Sequence, residues 1–152
     1  MRLGWTAVGT ARHSTRVTWL FALLGAWFGG APAWASSVTD IRVGENSITL
    51  RFDGPVEQAS SFLLSGPDRI ALDVVGATPG RIGDDVAGPV VAVRQAPRGD
   101  GGARIVFDLA GPAIVTGGRW GRDGRTLTLA LAQVDDRRFA AAANAGRLRF
   151  LP

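Results

Sequence analysis

The sequence contains no cysteine, no tyrosine and no lysine, and its single histidine is His13. Without cysteine there can be no disulfide, no thiolate metal ligand and no lipid-modified N-terminal cysteine. The place of the histidine matters as much as its scarcity, because residues 1–35 have the three parts of an export signal. Arg2, Arg12 and Arg16 form a basic start, residues 17–28 an apolar stretch, and Ala33-Trp34-Ala35 an A-x-A cleavage site. The apolar stretch is short for a hydrocarbon core of about 30 Å, and the arginines are not adjacent. A Sec-type signal cut after Ala35 is therefore expected, with a periplasmic product that meets the membrane only before cleavage. The mature chain, residues 36–152, then holds no Cys, His, Lys or Tyr.

These absences restrict the chemistry. A serine nucleophile would lack its histidine base, and a zinc hydrolase would lack its usual ligands. Asp84-Asp85 and Asp135-Asp136 are adjacent carboxylates, but no oxygen-rich loop spacing surrounds them, and they read as solvated charge. Gly99-Asp100-Gly101-Gly102 lacks the helix and lysine of a phosphate-cradling loop and reads as a hairpin turn. No enzyme activity and no cofactor is expected.

Removing 35 of 152 residues leaves 117, enough for one domain with one core. Taking Arg2, Arg12 and Arg16 from the 17 arginines leaves 14 against 13 Asp plus Glu, a net charge of +1. The isoelectric point near 11.3 reflects an all-arginine basic complement and does not indicate a nucleic-acid partner.

What the sequence does have is an internal repeat. Residues 38–43, 47–52, 57–64 and 69–75 read as strands, since apolar residues alternate with polar ones, as Ile70, Leu72 and Val74 do with Arg69, Ala71 and Asp73. Gly66-Pro67-Asp68 supplies a tight turn between the last two strands. Residues 76–89, with four Gly and two Pro, read as a connector. The plan then recurs over residues 90–131. Val38-x-x-Ile41-Arg42 returns as Val90-x-x-Val93-Arg94, Gly54-Pro55 as Gly111-Pro112, and the alternating Ile70, Leu72, Val74 as Leu127, Leu129, Leu131. The offset drifts from 52 to 57 residues, as it would if loops differ and strands do not. Two copies are too few for a solenoid. The pattern predicts an all-β fold over residues 36–134, a small sandwich of two similar antiparallel sheets sharing one core. Residues 135–152 read as a short helical tail or a linker.

The outward positions are Arg51 and Asp53, Arg69 and Asp73, and Arg104 and Asp108, with Arg42 and Arg94 on neighbouring strands. They read either as cross-strand surface ion pairs or as a ligand face, since arginine forks and carboxylates suit a ligand rich in hydroxyls, amides and carboxylates. Trp120, between Arg119 and Arg122, either stacks on a sugar or caps the edge of the core.

The export signal, Val-x-x-Ile-Arg, the Phe62-Leu63-Leu64-x-x-Pro67-Asp68-Arg69-Ile70-x-Leu72-Asp73-Val74 stretch, Val-x-x-Val-Arg and Arg104-Ile105-Val106-Phe107-Asp108-Leu109 together resemble the AMIN domain. That domain is the N-terminal module of periplasmic N-acetylmuramoyl-L-alanine amidases, and the resemblance covers residues 38–133. It implies a two-sheet sandwich that binds peptidoglycan and delivers an amidase to the division site, with an amidase domain or divisome and envelope proteins as further partners. The zinc-binding domain of those amidases, with its His and Glu ligands, is missing here. The expected function is a non-catalytic wall-binding module. The alternatives are the front part of an amidase whose zinc domain lies beyond residue 152 and, third, a docking module of a secretin-like envelope machine.

Overall fold

A computed structural model describes residues 36–81 and 86–152. The expected export signal and the Asp84-Asp85 pair lie outside these residues. Ten strands and one helix follow in order: β1 (Ser36–Val43), β2 (Ser47–Phe52), β3 (Gln58–Leu64), β4 (Arg69–Val75), β5 (Ala77–Thr78), β6 (Val90–Pro97), β7 (Ala103–Leu109), β8 (Ala113–Trp120), β9 (Thr126–Gln133), α1 (Asp136–Asn144) and β10 (Leu148–Phe150). They form two five-stranded sheets, ordered β5-β1-β2-β9-β8 and β10-β3-β4-β7-β6, antiparallel except for the β1–β5 pair. The fold is the expected all-β sandwich.

The alternation read from the sequence sets which face each strand buries. Ile41, Ile48, Leu50, Phe52, Leu127 and Leu129 line the inner face of the first sheet, and Ile70, Leu72, Val74, Ile105 and Phe107 that of the second; all are buried in one core. At about 1.5–3 kcal/mol for each large apolar side chain buried, this interior is the main stabilising term.

The repeat is visible in three dimensions, but each half is shared between the sheets. The β1–β2 hairpin of the first half and the β8–β9 hairpin of the second join through β2–β9, while β3–β4 and β6–β7 join through β4–β7. The strand register shifts between Val38 and Asp40 in β1 and between Val90 and Ala92 in β6, equivalent positions in the two copies. A bulge thus adds one residue at the same point of each first hairpin.

Two glycine-rich segments, the connector and the expected β6–β7 hairpin turn, contribute to the structure. Inside the glycine-rich connector, Ala77–Thr78 pairs with Ser36–Ser37 as β5. Gly80 lies so close to β1 that an added Cβ would fall 1.6 Å from the Val38 carbonyl oxygen, so only glycine is accommodated there. Arg98 N–H donates to the Gly102 carbonyl and closes the β6–β7 turn over the Gly99-Asp100-Gly101-Gly102 run.

The sheets also extend past residue 134. Asp135 is the N-cap of α1, its carboxylate accepting from the Arg138 N–H at 2.7 Å, which gives the Asp135-Asp136 pair a structural use at the helix start. Helix α1 lies against β3 and β8 and buries Phe139. The chain then returns as β10, which adds to the free edge of β3 and inserts Phe150 into the core. No helix among the described residues is long and apolar enough to cross a membrane.

Candidate functional site

The outward arginines and aspartates occupy two opposite surfaces. Arg42 and Arg51 lie on the outer face of the first sheet, where Arg42 Nε donates to Asp40 Oδ2 at 2.9 Å and Arg51 is exposed, with no ion pair among the described residues. Arg69, Asp73, Arg94, Arg104 and Asp108 lie on the outer face of the second sheet. There the register places Arg69 opposite Asp108, Ala71 opposite Val106, and Asp73 opposite Arg104. Trp120 is turned inward. It is half-buried: its ring sits 5.9 Å from that of Phe52, it packs against the core, and its Nε1 is buried.

Asp73 departs most from the expectation. Alternation puts its side chain on the solvent-side face of β4, yet only 1% of it is exposed. Three arginines cover it. Arg104, from the paired position on β7, grips the carboxylate with both forks, Nε to Oδ1 at 2.6 Å and Nη2 to Oδ2 at 2.9 Å. Arg147, in the segment between α1 and β10, donates from Nη1 to Oδ2 at 2.7 Å and to Ser60 Oγ at 3.3 Å. Arg98, at the end of β6, brings Nη1 within 3.0 Å of Oδ2. The Phe62 ring supports the cluster, with the guanidinium carbons of Arg147 and Arg104 at 4.0 and 5.2 Å from its centroid.

Burial alone would push the Asp73 carboxyl up. Hydrogen bonds from Arg104 and Arg147 and the charges of Arg104 and Arg98 outweigh it and hold the carboxyl below its ordinary value of 3.8. The hydrogen bond to Asp73 in turn raises Arg104. The carboxylate therefore stays ionised and fixes three cations on one patch.

A family model for the AMIN domain matches residues 38–131, which run from β1 into β9 and include the whole Asp73 strand pair. The chain belongs to the AMIN domain family. The AMIN domain is a periplasmic peptidoglycan-binding and targeting module, and it is non-catalytic. No curated protein matches the chain. Among the described residues, no group of three or more His, Asp or Glu side chains could hold a metal ion.

Beyond the Asp73 cluster, the second sheet of this AMIN domain carries an open groove lined by Arg69, Arg94, Gln95, Ala96, Arg104 and Val106. Arg94 Nη2 donates to Asp108 Oδ1 at 2.6 Å along one side, and Arg69 keeps only a weak 3.3 Å contact to the Pro67 carbonyl. Arg98 and Arg147 were not among the residues the sequence suggested. Arg98 follows β6 just where outward alternation would put it beside Arg104, a usable signal. Arg147 lies 74 residues from Asp73 and carries none.

Proposed function

We propose that this chain is a non-catalytic periplasmic module that binds peptidoglycan and so positions a cell-wall amidase or another envelope partner. Membership of the AMIN family supports the reading, as do the export-signal features of residues 1–35. The observation that carries it is the groove on the second sheet, where arginines anchored by Asp73 and Asp108 flank a strip of small apolar side chains. Anchored guanidinium groups lose little rotamer freedom when they bind, and their remaining N–H donors suit the carboxylates and amides of the cell wall.

Co-sedimentation of residues 36–152 with purified sacculi tests this reading. The protein is expected in the pellet at low ionic strength and increasingly in the supernatant as salt is raised, because partly exposed charges are screened over a Debye length of about 8–10 Å. Absence from the pellet at low salt would overturn the proposal.

A further inference from the structure

The mature chain is nearly neutral, but its charge is unevenly placed. The outer face of the second sheet and the turn beside it carry Arg69, Arg94, Arg98, Arg104, Arg147 and Arg149 against Asp73, Asp100 and Asp108, a net +3. The remaining 8 of 14 arginines face 10 of 13 acids, so everything else after residue 35 is net −2. Arg149 belongs to this face because it pairs opposite Ser60, while Phe150, its neighbour, points into the core.

The floor of the groove is as informative as its rim. Val106 stands in the row between the Arg69–Asp108 and Asp73–Arg104 rows, opposite a fully buried Ala71, and Ala96 stands opposite Arg104 on β6, so Val106 and Ala96 form the accessible floor. Side chains on one face of a strand repeat every ~7 Å, so the Arg69 and Arg104 rows stand ~13 Å apart, the span of about four residues of extended peptide. Small apolar floor residues leave room for methyl groups between two cationic ends.

A sugar, by contrast, is commonly held on an open aromatic face, and no aromatic side chain is fully exposed among the described residues. Phe52, Phe107, Phe139 and Phe150 are buried, Trp120 is half-buried and packed against the core, and the Phe62 ring carries Arg147. Resting on the wall-binding reading above, we infer that this groove recognises the peptide stems of peptidoglycan through their free carboxylates, with the alanine methyls on Ala96 and Val106, and does not recognise the glycan strand. Arg104 retains Nη1 and Arg69 retains both Nη groups for such carboxylates.

The test compares retention of residues 36–152 on intact sacculi and on glycan strands stripped of their stems by an amidase, with soluble stem tetrapeptide as competitor. Retention on stripped strands should be at least about tenfold weaker, the loss of one or two charge-assisted hydrogen bonds. The tetrapeptide with free carboxylates should release the protein from intact sacculi, and the same peptide with its carboxylates amidated should not. Arg69→Gln with Arg94→Gln should weaken retention on intact sacculi by a similar factor with the unfolding midpoint unchanged. Equal retention on intact and stripped material, or equal competition by the amidated peptide, would overturn stem recognition while leaving wall binding intact. Failure to bind intact sacculi would overturn wall binding itself, and stem recognition with it.

Discussion

Asp73 shows how one residue can be outward by alternation and buried by its neighbours. The cost of removing it is set by the three cations it leaves behind. Breaking a fully buried pair costs about 3–5 kcal/mol, and partly exposed partners lower that figure. Arg98, Arg104 and Arg147 have 28%, 41% and 44% of their side chains exposed, so Asp73→Ala is expected to lose about 2 kcal/mol in a urea titration. That approaches the ~2–5 kcal/mol expected for Leu72→Ala, whose side chain is fully buried on the core face. A loss indistinguishable from zero for Asp73→Ala would show that the arginines hold their places without it. The carboxyl is depressed in the folded state, so its contribution is complete above the unfolded-state value near ~3.9 and vanishes as pH falls through the lower folded-state value. The unfolding midpoint should hold level from about pH 7 to about pH 5 and drop below about pH 4, and Asp73→Asn should remove much of that drop. Some acid sensitivity should persist, because Asp123, fully exposed in the β8–β9 turn, is also held below its ordinary value, chiefly by the Arg125 N–H.

Among the elements, β10 is the shortest addition to the second sheet and one of the most consequential. It supplies Phe150 to the core, covers the β3 edge, and carries next to it the Arg147 that closes over Asp73. Gly118 in β8 makes room for it: a Cβ there would meet the Phe150 ring at 2.6 Å and Leu129 at 3.0 Å. Gly118→Ala should therefore destabilise by about 1–3 kcal/mol through overpacking, and Phe150→Ala by about 3 kcal/mol through the cavity it leaves. The diagnostic result is the double variant. With the ring gone, Gly118→Ala should cost clearly less, only the tighter Leu129 contact remaining, and additive losses would mean that Gly118 and Phe150 do not touch.

For the whole molecule, two hairpins from each half of the repeat are exchanged between two sheets, so neither half has a core of its own. Unfolding of residues 36–152 should follow one cooperative transition, coincident by circular dichroism and by Trp120 fluorescence. Because no Cys or His follows residue 35, the same protein should release no stem peptides from peptidoglycan with or without added zinc, and zinc-dependent release in a sacculus digestion assay would contradict that expectation.

Strand positions and the repeat were legible because a period of two is written residue by residue. Even the paired bulges coincide with the repeated Val-x-x-Ile/Val-Arg motif. The tail was not legible in the same way: three residues of β10 are too few to show a period, and alanine-rich α1 looks alike in a helix and in a linker.

The residues by themselves determined the fold class, the outward set of arginines and aspartates, and the absence of Cys and His after residue 35, since local alternation, turn chemistry and composition suffice for these. Tertiary structure alone decided that Arg42 and Arg51 belong to one surface and Arg69, Arg94 and Arg104 to the other. It also decided that Trp120 faces the core and that Asp73 lies beneath arginines from three separate segments. Alternation specifies which side of a strand a side chain takes, but what covers that side depends on chain segments that meet only when the sandwich closes.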